Sequence, residues 1–305
     1  MFKKLSDYIL LKLGILELRH SLELTEKKLN DRFDFLGAYM NLVQAEDIAI
    51  DPSIAAKVQK DLQTEFGLEE INMATHKNDV MFAMHIFEHC YHPEKAVYSH
   101  FKIGARTASR LKKICDQEGF SPQKILDFGS GYGRVSRFLP SYFPTTEILI
   151  SEVKEQALDF QKRHFGFTGS HHGQDSESLN AAGIDLIFAL SVFTHLPKEA
   201  FKDWLQKLIN ILNPGGALIF TFNNGEDPKY QDWFGQEEFV YQLASEDSKF
   251  SFINDSLKDT QIYGNTFISR HFLEKLLAKK GLSHKFLAYE LSPAQEAILI
   301  RKEDL

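Results

Sequence analysis

Residues 125 to 139 read ILDFGSGYGRVSRFL: an apolar run, an acid, three glycines at alternate positions, then a basic amphipathic stretch. Glycine tolerates left-handed backbone and lets another group come close to the main chain. A loop of this kind, leaving a strand and opening a helix, presents backbone N–H groups to whatever binds there. Spacing then discriminates between ligands. A dinucleotide fingerprint needs a third glycine three residues after the second, and here Gly129, Gly131 and Gly133 are followed by Arg134 at that place. A phosphate-cradling P-loop needs a Gly-Lys dipeptide, and the chain has none. Asp127, just ahead of the first glycine, is an awkward neighbour for a pyrophosphate and a good one for an amine. Glu152 ends the next apolar run, about twenty residues beyond the loop, where a carboxylate accepts both hydroxyls of a ribose and repels a 2′-phosphate. The pattern points to a nucleoside that carries an amine.

These residues must be positioned by strands and helices. From residue 124 the apolar runs KILDFG, TEILISEV, IDLIFALSV and GALIFTFN alternate with the helical patterns KEQALDFQKRH and PKEAFKDWLQKLINIL. Such alternation predicts an α/β fold, with right-handed crossovers and a mostly parallel sheet covered on both faces. Residues 224–261 form a polar, aromatic-rich excursion too long for a plain connection, as expected of a lid. ISRHFLEKLLAKKG then reads as a helix capped by Ser269 and ended by Gly281, and SHKFLAYEL with EAILIRK as an antiparallel hairpin closing the sheet. Before the loop, DPSIAAKVQKDLQTEFG predicts a helix capped by Asp51 or Ser53, with Pro52 in its first turn, and RTASRLKKICDQEG a helix that stops at Gly119.

The first forty residues carry Leu11, Ile15, Leu18, Leu22, Thr25, Leu29, Arg32 and Leu36 at alternating steps of four and three, a coiled-coil seam with two polar breaks. A helix of this kind can pack on its own domain, pair with a second copy, or lie on a membrane surface, since Lys3, Lys4 and Lys12 accompany its leucines. Asp7, Lys12 and Glu17 interrupt any run fit for a signal peptide or a membrane span. Across 305 residues the net charge is −7 with the acids dispersed, so no basic stripe is available to a nucleic-acid backbone. Two cysteines, Cys90 and Cys115, with no CxxC pair, fit a reducing compartment. The expected location is the cytoplasm, without a nucleic-acid partner.

ILDFGSGYGRV with its acid at the second strand end, IDLIFALSVFTHL and LNPGGALIFTF together resemble the class I S-adenosylmethionine-dependent methyltransferases, in particular a group sharing the SVFTHL, WL and PGG run. The resemblance covers roughly residues 96–305 and leaves 1–95 as a helical extension. It implies a Rossmann-like seven-stranded sheet with its last strand antiparallel, and S-adenosylmethionine as cofactor. It also implies that Gly129, Gly131 and Gly133 lie against the methionine part, that Asp127 reaches the ammonium directly or through water, and that Glu152 holds the ribose. Asp175 resembles the acid that contacts the adenine amine, with Ser176 lining the ring, and Leu190 and Ser191 border the methyl group. Amino-methylating enzymes of nucleic acids typically carry N/D-P-P-Y/F there, whereas this chain has ALSV. The expected acceptor is an oxygen, or less readily a nitrogen, of a small metabolite or glycan.

His195, after the fourth strand of this series, is the candidate catalytic base: an imidazole titrating near neutrality can take a proton from an acceptor hydroxyl. The same histidine can instead start a helix or stack near adenine. Tyr98 and Arg106 are candidates to close over the cofactor's carboxylate, and Trp233 and Tyr263 to line the acceptor side. Two other classes remain open. HIFEH places His85 and His89 one helical turn apart in the H-x-x-E-H pattern of zinc hydrolases, and a nucleoside-binding scaffold without turnover would keep the same loop.

Overall fold

The computed structural model describes residues 46–89, 92–230, 234–243 and 264–303. The leucine seam of the first forty residues, Cys90, Trp233 and Tyr263 lie outside them. The N-terminal part begins with β1 (Asp47–Ile48), α1 (Pro52–Phe66) and β2 (Thr75–His76), with β1 and β2 antiparallel. Asp51 caps α1 by accepting the amides of Ser53 and Ile54, Pro52 occupies the first turn, and left-handed Gly67 closes it. Helices α2 (Val80–Glu88) and α3 (Pro93–Gln117) follow.

The α/β part runs β3 (Lys124–Phe128), α4 (Leu139–Tyr142), β4 (Glu147–Glu152), α5 (Glu155–Phe165), β5 (Thr168–His171), β6 (Ile184–Ala189), α6 (Lys198–Ile211), β7 (Leu212–Asn224), β8 (Phe239–Leu243), β9 (Gly264–Ile268), α7 (Arg270–Ala278), β10 (Ser283–Phe286) and β11 (Glu296–Arg301). Seven strands lie in the order β10-β11-β7-β6-β3-β4-β5. β11 is antiparallel to both neighbours and the remaining pairs are parallel. This is the expected Rossmann-like sheet with its last strand antiparallel. The chain winds outward from β3 in one direction through β4 and β5, then returns to β6 on the other side. That reversal opens a crevice outside the carboxyl ends of β3 and β6, where α/β sheets bind ligands. Beyond the seven, β9 runs parallel to the end of β7 and pairs with β8, so the long excursion adds strands at the same end of the sheet.

Alternation along each strand builds two cores. Ile125, Leu186 and Ile219 pack on one face with Phe101, Leu111 and Phe138, while Leu126, Ile187 and Phe220 pack on the other with Phe201, Leu205 and Leu208. With helices on both sides the central strands β3, β6 and β7 are largely apolar on both faces, as buried parallel strands are. Among the described residues no helix is long and apolar enough to cross a membrane.

One expectation fails locally. The glycine loop does not open a regular helix: a single 3₁₀ turn, Ser136–Phe138, precedes the short α4. Pro140 is the physical reason, because it has no N–H for the carbonyl of Ser136 and its ring would clash with that carbonyl in a helix continued from the loop. Binding at the loop therefore rests on its own amides and neighbouring side chains rather than on a helix terminus.

Candidate functional site

The three glycines all adopt left-handed backbone, with φ of 72°, 57° and 74° for Gly129, Gly131 and Gly133. Their surroundings differ. A Cβ on Gly129 would lie 2.4 Å from Val192 and one on Gly133 2.7 Å from Phe165, so both glycines are needed for packing within the protein. A Cβ on Gly131 would meet nothing within 4 Å. Gly131 is thus the loop glycine whose open side borders the crevice. Its amide donates to Glu152 Oε2 at 2.7 Å, while Glu152 Oε1 accepts from the amides of Val153 and Lys154 at 3.0 and 3.1 Å. Glu152, at the end of β4, is buried and locked against the loop. From α5, Gln161 Nε2 donates to Ser130 Oγ at 2.7 Å and to the Gly131 carbonyl at 2.8 Å.

Asp127 is buried near the end of β3, two residues before the first glycine of the loop. Ser136 Oγ donates to it at 2.6 Å. Burial pushes its pKa up to about 7, against the pull of the Ser136 bond and with a further push from Glu152. The sign has two consequences. The folded state holds this proton longer than the unfolded chain, so between the ordinary carboxylate range and about pH 7 Asp127 makes folding less favourable as pH rises. An ammonium bound beside it requires the ionised form. Affinity for a ligand carrying an ammonium should therefore rise as pH rises through about 7, with proton uptake by the buffer, and calorimetry in buffers of different ionisation enthalpy reads both effects. A pH-independent affinity there would contradict an ammonium at Asp127.

Across the crevice, Ser191 follows β6 with φ of 60°, a left-handed conformation that costs a non-glycine residue about 1–2 kcal/mol. Four hydrogen bonds hold it there. Its amide donates to Thr221 Oγ1, its Oγ and that of Thr221 both donate to Gln295 Oε1, and Thr194 Oγ1 donates to its carbonyl, each at 2.8 Å. Leu190 beside it is half-buried against the core. His195 Nδ1 lies 2.8 Å from the Gly264 carbonyl. A carbonyl can only accept, so Nδ1 carries the proton and Nε2 the lone pair. Burial lowers the His195 pKa, opposed by the Gly264 bond, and keeps the ring neutral at neutral pH.

Other candidates sit differently. Asp175 is exposed and caps the 3₁₀ turn Ser176–Ser178, its Oδ1 accepting the Glu177 amide at 3.0 Å, with Ser176 half-exposed behind it. Tyr98 is turned toward α1, donating to Glu65 at 2.6 Å, and Arg106 has the same carboxylate as an electrostatic neighbour, with its Nε buried and without a hydrogen bond among the described residues. His89 Nε2 is engaged with Ser99 Oγ at 2.7 Å, and His85 Nδ1 lies 3.5 Å from Glu88. Among the described residues no group of three or more His, Cys, Asp or Glu side chains is arranged to hold a metal ion.

Two arginines that follow the glycines were not singled out by the sequence. Arg134 is half-buried, lies near Asp79, and has no hydrogen-bond partner for its guanidinium among the described residues. Arg137 is buried and satisfies its fork on carbonyls: Nε on Gly133 at 2.9 Å, Nη1 on Asn72 and Ala74 at 3.1 and 2.7 Å, and Nη2 on Tyr132 at 3.1 Å. The rings of Phe101 and Phe165 face it at 4.9 and 4.6 Å. The available signal was two arginines three apart in RVSRFL, one at the head of the stretch and one inside it.

Residues 126–218, from β3 into β7, match the family described as methyltransferase domain. This match and the methyltransferases among the similar proteins support an enzyme. Among similar proteins, the tRNA N(3)-methylcytidine methyltransferase of Schizosaccharomyces pombe is 29% identical over 130 residues, 39% of this chain and 49% of that protein. The malonyl-[acyl-carrier protein] O-methyltransferase of Methylococcus capsulatus is 33% identical over 108 residues, 34% of this chain and 38% of that protein. This chain thus spans half or less of these two relatives. A solved S-adenosylmethionine-dependent methyltransferase from Clostridium acetobutylicum superposes with a TM-score of 0.46 at 15% identity, covering 67% of this chain and 92% of that one.

Proposed function

We propose that the chain transfers the methyl group of S-adenosylmethionine to an oxygen, and less readily a nitrogen, of a small metabolite or glycan. The observation that carries this reading is the open side of Gly131, flanked by Glu152 and Asp127 on one bank of the crevice and by Ser191 and His195 on the other. In it, Glu152 holds the ribose, Asp127 takes the ammonium, Asp175 and Ser176 border the adenine, and Leu190 and Ser191 the methyl group. Bound S-adenosylmethionine supplies an electrophilic methyl group on sulfur. The protein orients the acceptor, excludes water and, at His195 Nε2, accepts the proton of the acceptor hydroxyl. The dispersed negative charge supports an acceptor other than nucleic acid, and the two cysteines without a CxxC pair support a reducing compartment such as the cytoplasm. The extension 1–95 would serve as an oligomerisation element or a cap, and the 224–261 insertion as a lid.

Calorimetry with S-adenosylmethionine and S-adenosylhomocysteine, followed by transfer of labelled methyl to metabolite, glycan and tRNA pools, tests the reading. No binding of either nucleoside sinks it, and label in tRNA alone overturns the acceptor class. His195→Asn should lower kcat by about 10²–10⁴-fold with cofactor affinity unchanged; an unchanged kcat would leave His195 as a tie between the β6 loop and β9.

Arg134 takes the role expected of Arg106. The Arg134 guanidinium has the charge of Asp79 nearby but no hydrogen bond to its fork among the described residues, and a ligand carboxylate would supply one. Arg134→Met should weaken S-adenosylhomocysteine binding about tenfold or more and leave 5′-methylthioadenosine, which lacks the carboxylate, unchanged. Equal losses for both ligands would mean that Arg134 only supports the loop.

A further inference from the structure

The turn after β7 places an ammonium ion in a cage of two rings and two oxygens. Lys229 Nζ lies 4.8 Å from the centre of the Tyr230 ring and 5.7 Å from that of Tyr289, 3.4 Å from Asp227 Oδ2 and 3.5 Å from the Ala294 carbonyl. Two ring faces, a carboxylate and a carbonyl are the surroundings that select a cation. The walls are fixed independently of the lysine. Asp227 accepts the Tyr289 hydroxyl and the Lys229 amide, Tyr230 packs edgewise on Phe267 of β9 at 4.8 Å, and Ala288, next to Tyr289, is left-handed with φ of 44°. The lysine itself is the movable part, with 43% of its side chain exposed.

The cage is built into the same framework as the crevice. Ala294 precedes Gln295, which bonds Ser191 and Thr221, and β9 carries both Phe267 at the cage and Gly264 at His195.

We propose that this cage is the handle for the acceptor: it receives an alkylammonium group of the substrate, and the Lys229 ammonium is a resident stand-in that the substrate displaces. The inference rests on the methyltransferase reading and narrows it to acceptors bearing a cationic nitrogen. A protonated or quaternary nitrogen has no lone pair to methylate, so it serves as the handle while an oxygen elsewhere in the same molecule meets the methyl group. The net charge of −7 favours approach of such a cation.

Tetramethylammonium chloride, titrated into the full chain against sodium chloride at equal ionic strength and read by calorimetry, is the probe. Lys229→Met keeps the stem and removes the competing charge, so it should bind tetramethylammonium about tenfold tighter than the unaltered protein. Adding Tyr289→Leu or Asp227→Asn to Lys229→Met should return the affinity to or below that of the unaltered protein. Unchanged affinity in Lys229→Met, or equal binding with and without the cage substitutions, overturns the proposal. The two double variants, each checked by circular dichroism, guard against a simple failure to fold. S-adenosylhomocysteine is titrated into the same proteins: its failure to bind any of them would sink the methyltransferase reading, while the tetramethylammonium series still decides the cage.

Discussion

Arg137→Met is expected to destabilise the protein by about 3–5 kcal/mol, a large share of the 5–15 kcal/mol typical of a folded domain. Burial draws the Arg137 pKa down to about 10, with Asp79 opposing, so the group stays charged at neutral pH. Its charge is met by carbonyls of Gly133, Tyr132, Asn72 and Ala74 and by two ring faces. Methionine fills the space between Phe101 and Phe165 and keeps the residue 137 amide on the Gly133 carbonyl, but it takes the guanidinium from the carbonyls of Tyr132, Asn72 and Ala74, at about 1–3 kcal/mol for each one that finds no water. Arg137→Lys should rescue little, because a compact ammonium cannot reach four acceptors spread around a planar fork. Urea unfolding measures this as a lower midpoint at unchanged slope. The arginine joins the segment at Asn72 and Ala74 to the last turn of the glycine loop, so cofactor affinity should fall with stability. A variant within about 1 kcal/mol of the unaltered protein would show that water replaces the guanidinium.

The fold was legible where periodicity acts alone. Ile125 and Leu126 alternate between the two cores, and the apolar runs KILDFG, TEILISEV, IDLIFALSV and GALIFTFN each became a strand, whereas the short polar edge strand β5 carries no such signal. Caps were equally readable, since Asp51 and Ser269 bond amides within their own first turns. The loop's failure to enter a helix is a case of competing local rules. The amphipathic pattern after Gly133 favours a helix, but Pro140 removes the bond that would carry it through.

The site was legible as a set of positions, and less so as a set of roles. Nothing near Gly129, Gly131 or Gly133 in sequence tells them apart, because the distinction lies in Val192 and Phe165, brought in by the β6 loop and α5. Arg106 looked apt for a carboxylate and lies on α3 with Glu65 as an electrostatic neighbour, whereas Arg134, read as a missing glycine, occupies the loop itself. Gln161 and Gln295 carry no sequence signal: a glutamine gains meaning when its carboxamide meets a loop carbonyl or two hydroxyls from distant strands.

The difference between the glycines can be tested against a matched control. Gly67 and Gly131 are both left-handed, with φ of 67° and 57°, and a Cβ on either meets nothing within 4 Å. Valine at either position should cost a similar amount of stability, at least about 1–2 kcal/mol for a side chain in that region. Binding should separate them. Gly67 ends α1, whereas Gly131 lies at the crevice with its amide on Glu152. Gly67→Val should bind S-adenosylhomocysteine as the unaltered protein does, while Gly131→Val loses at least about 100-fold in affinity, or about 2.7 kcal/mol, as its side chain fills the space against the loop. Calorimetry on both, at a temperature where both are folded, checks this. If Gly131→Val bound as tightly as Gly67→Val, the open side of Gly131 would not face the cofactor. The nucleoside would then have to be sought elsewhere in the crevice.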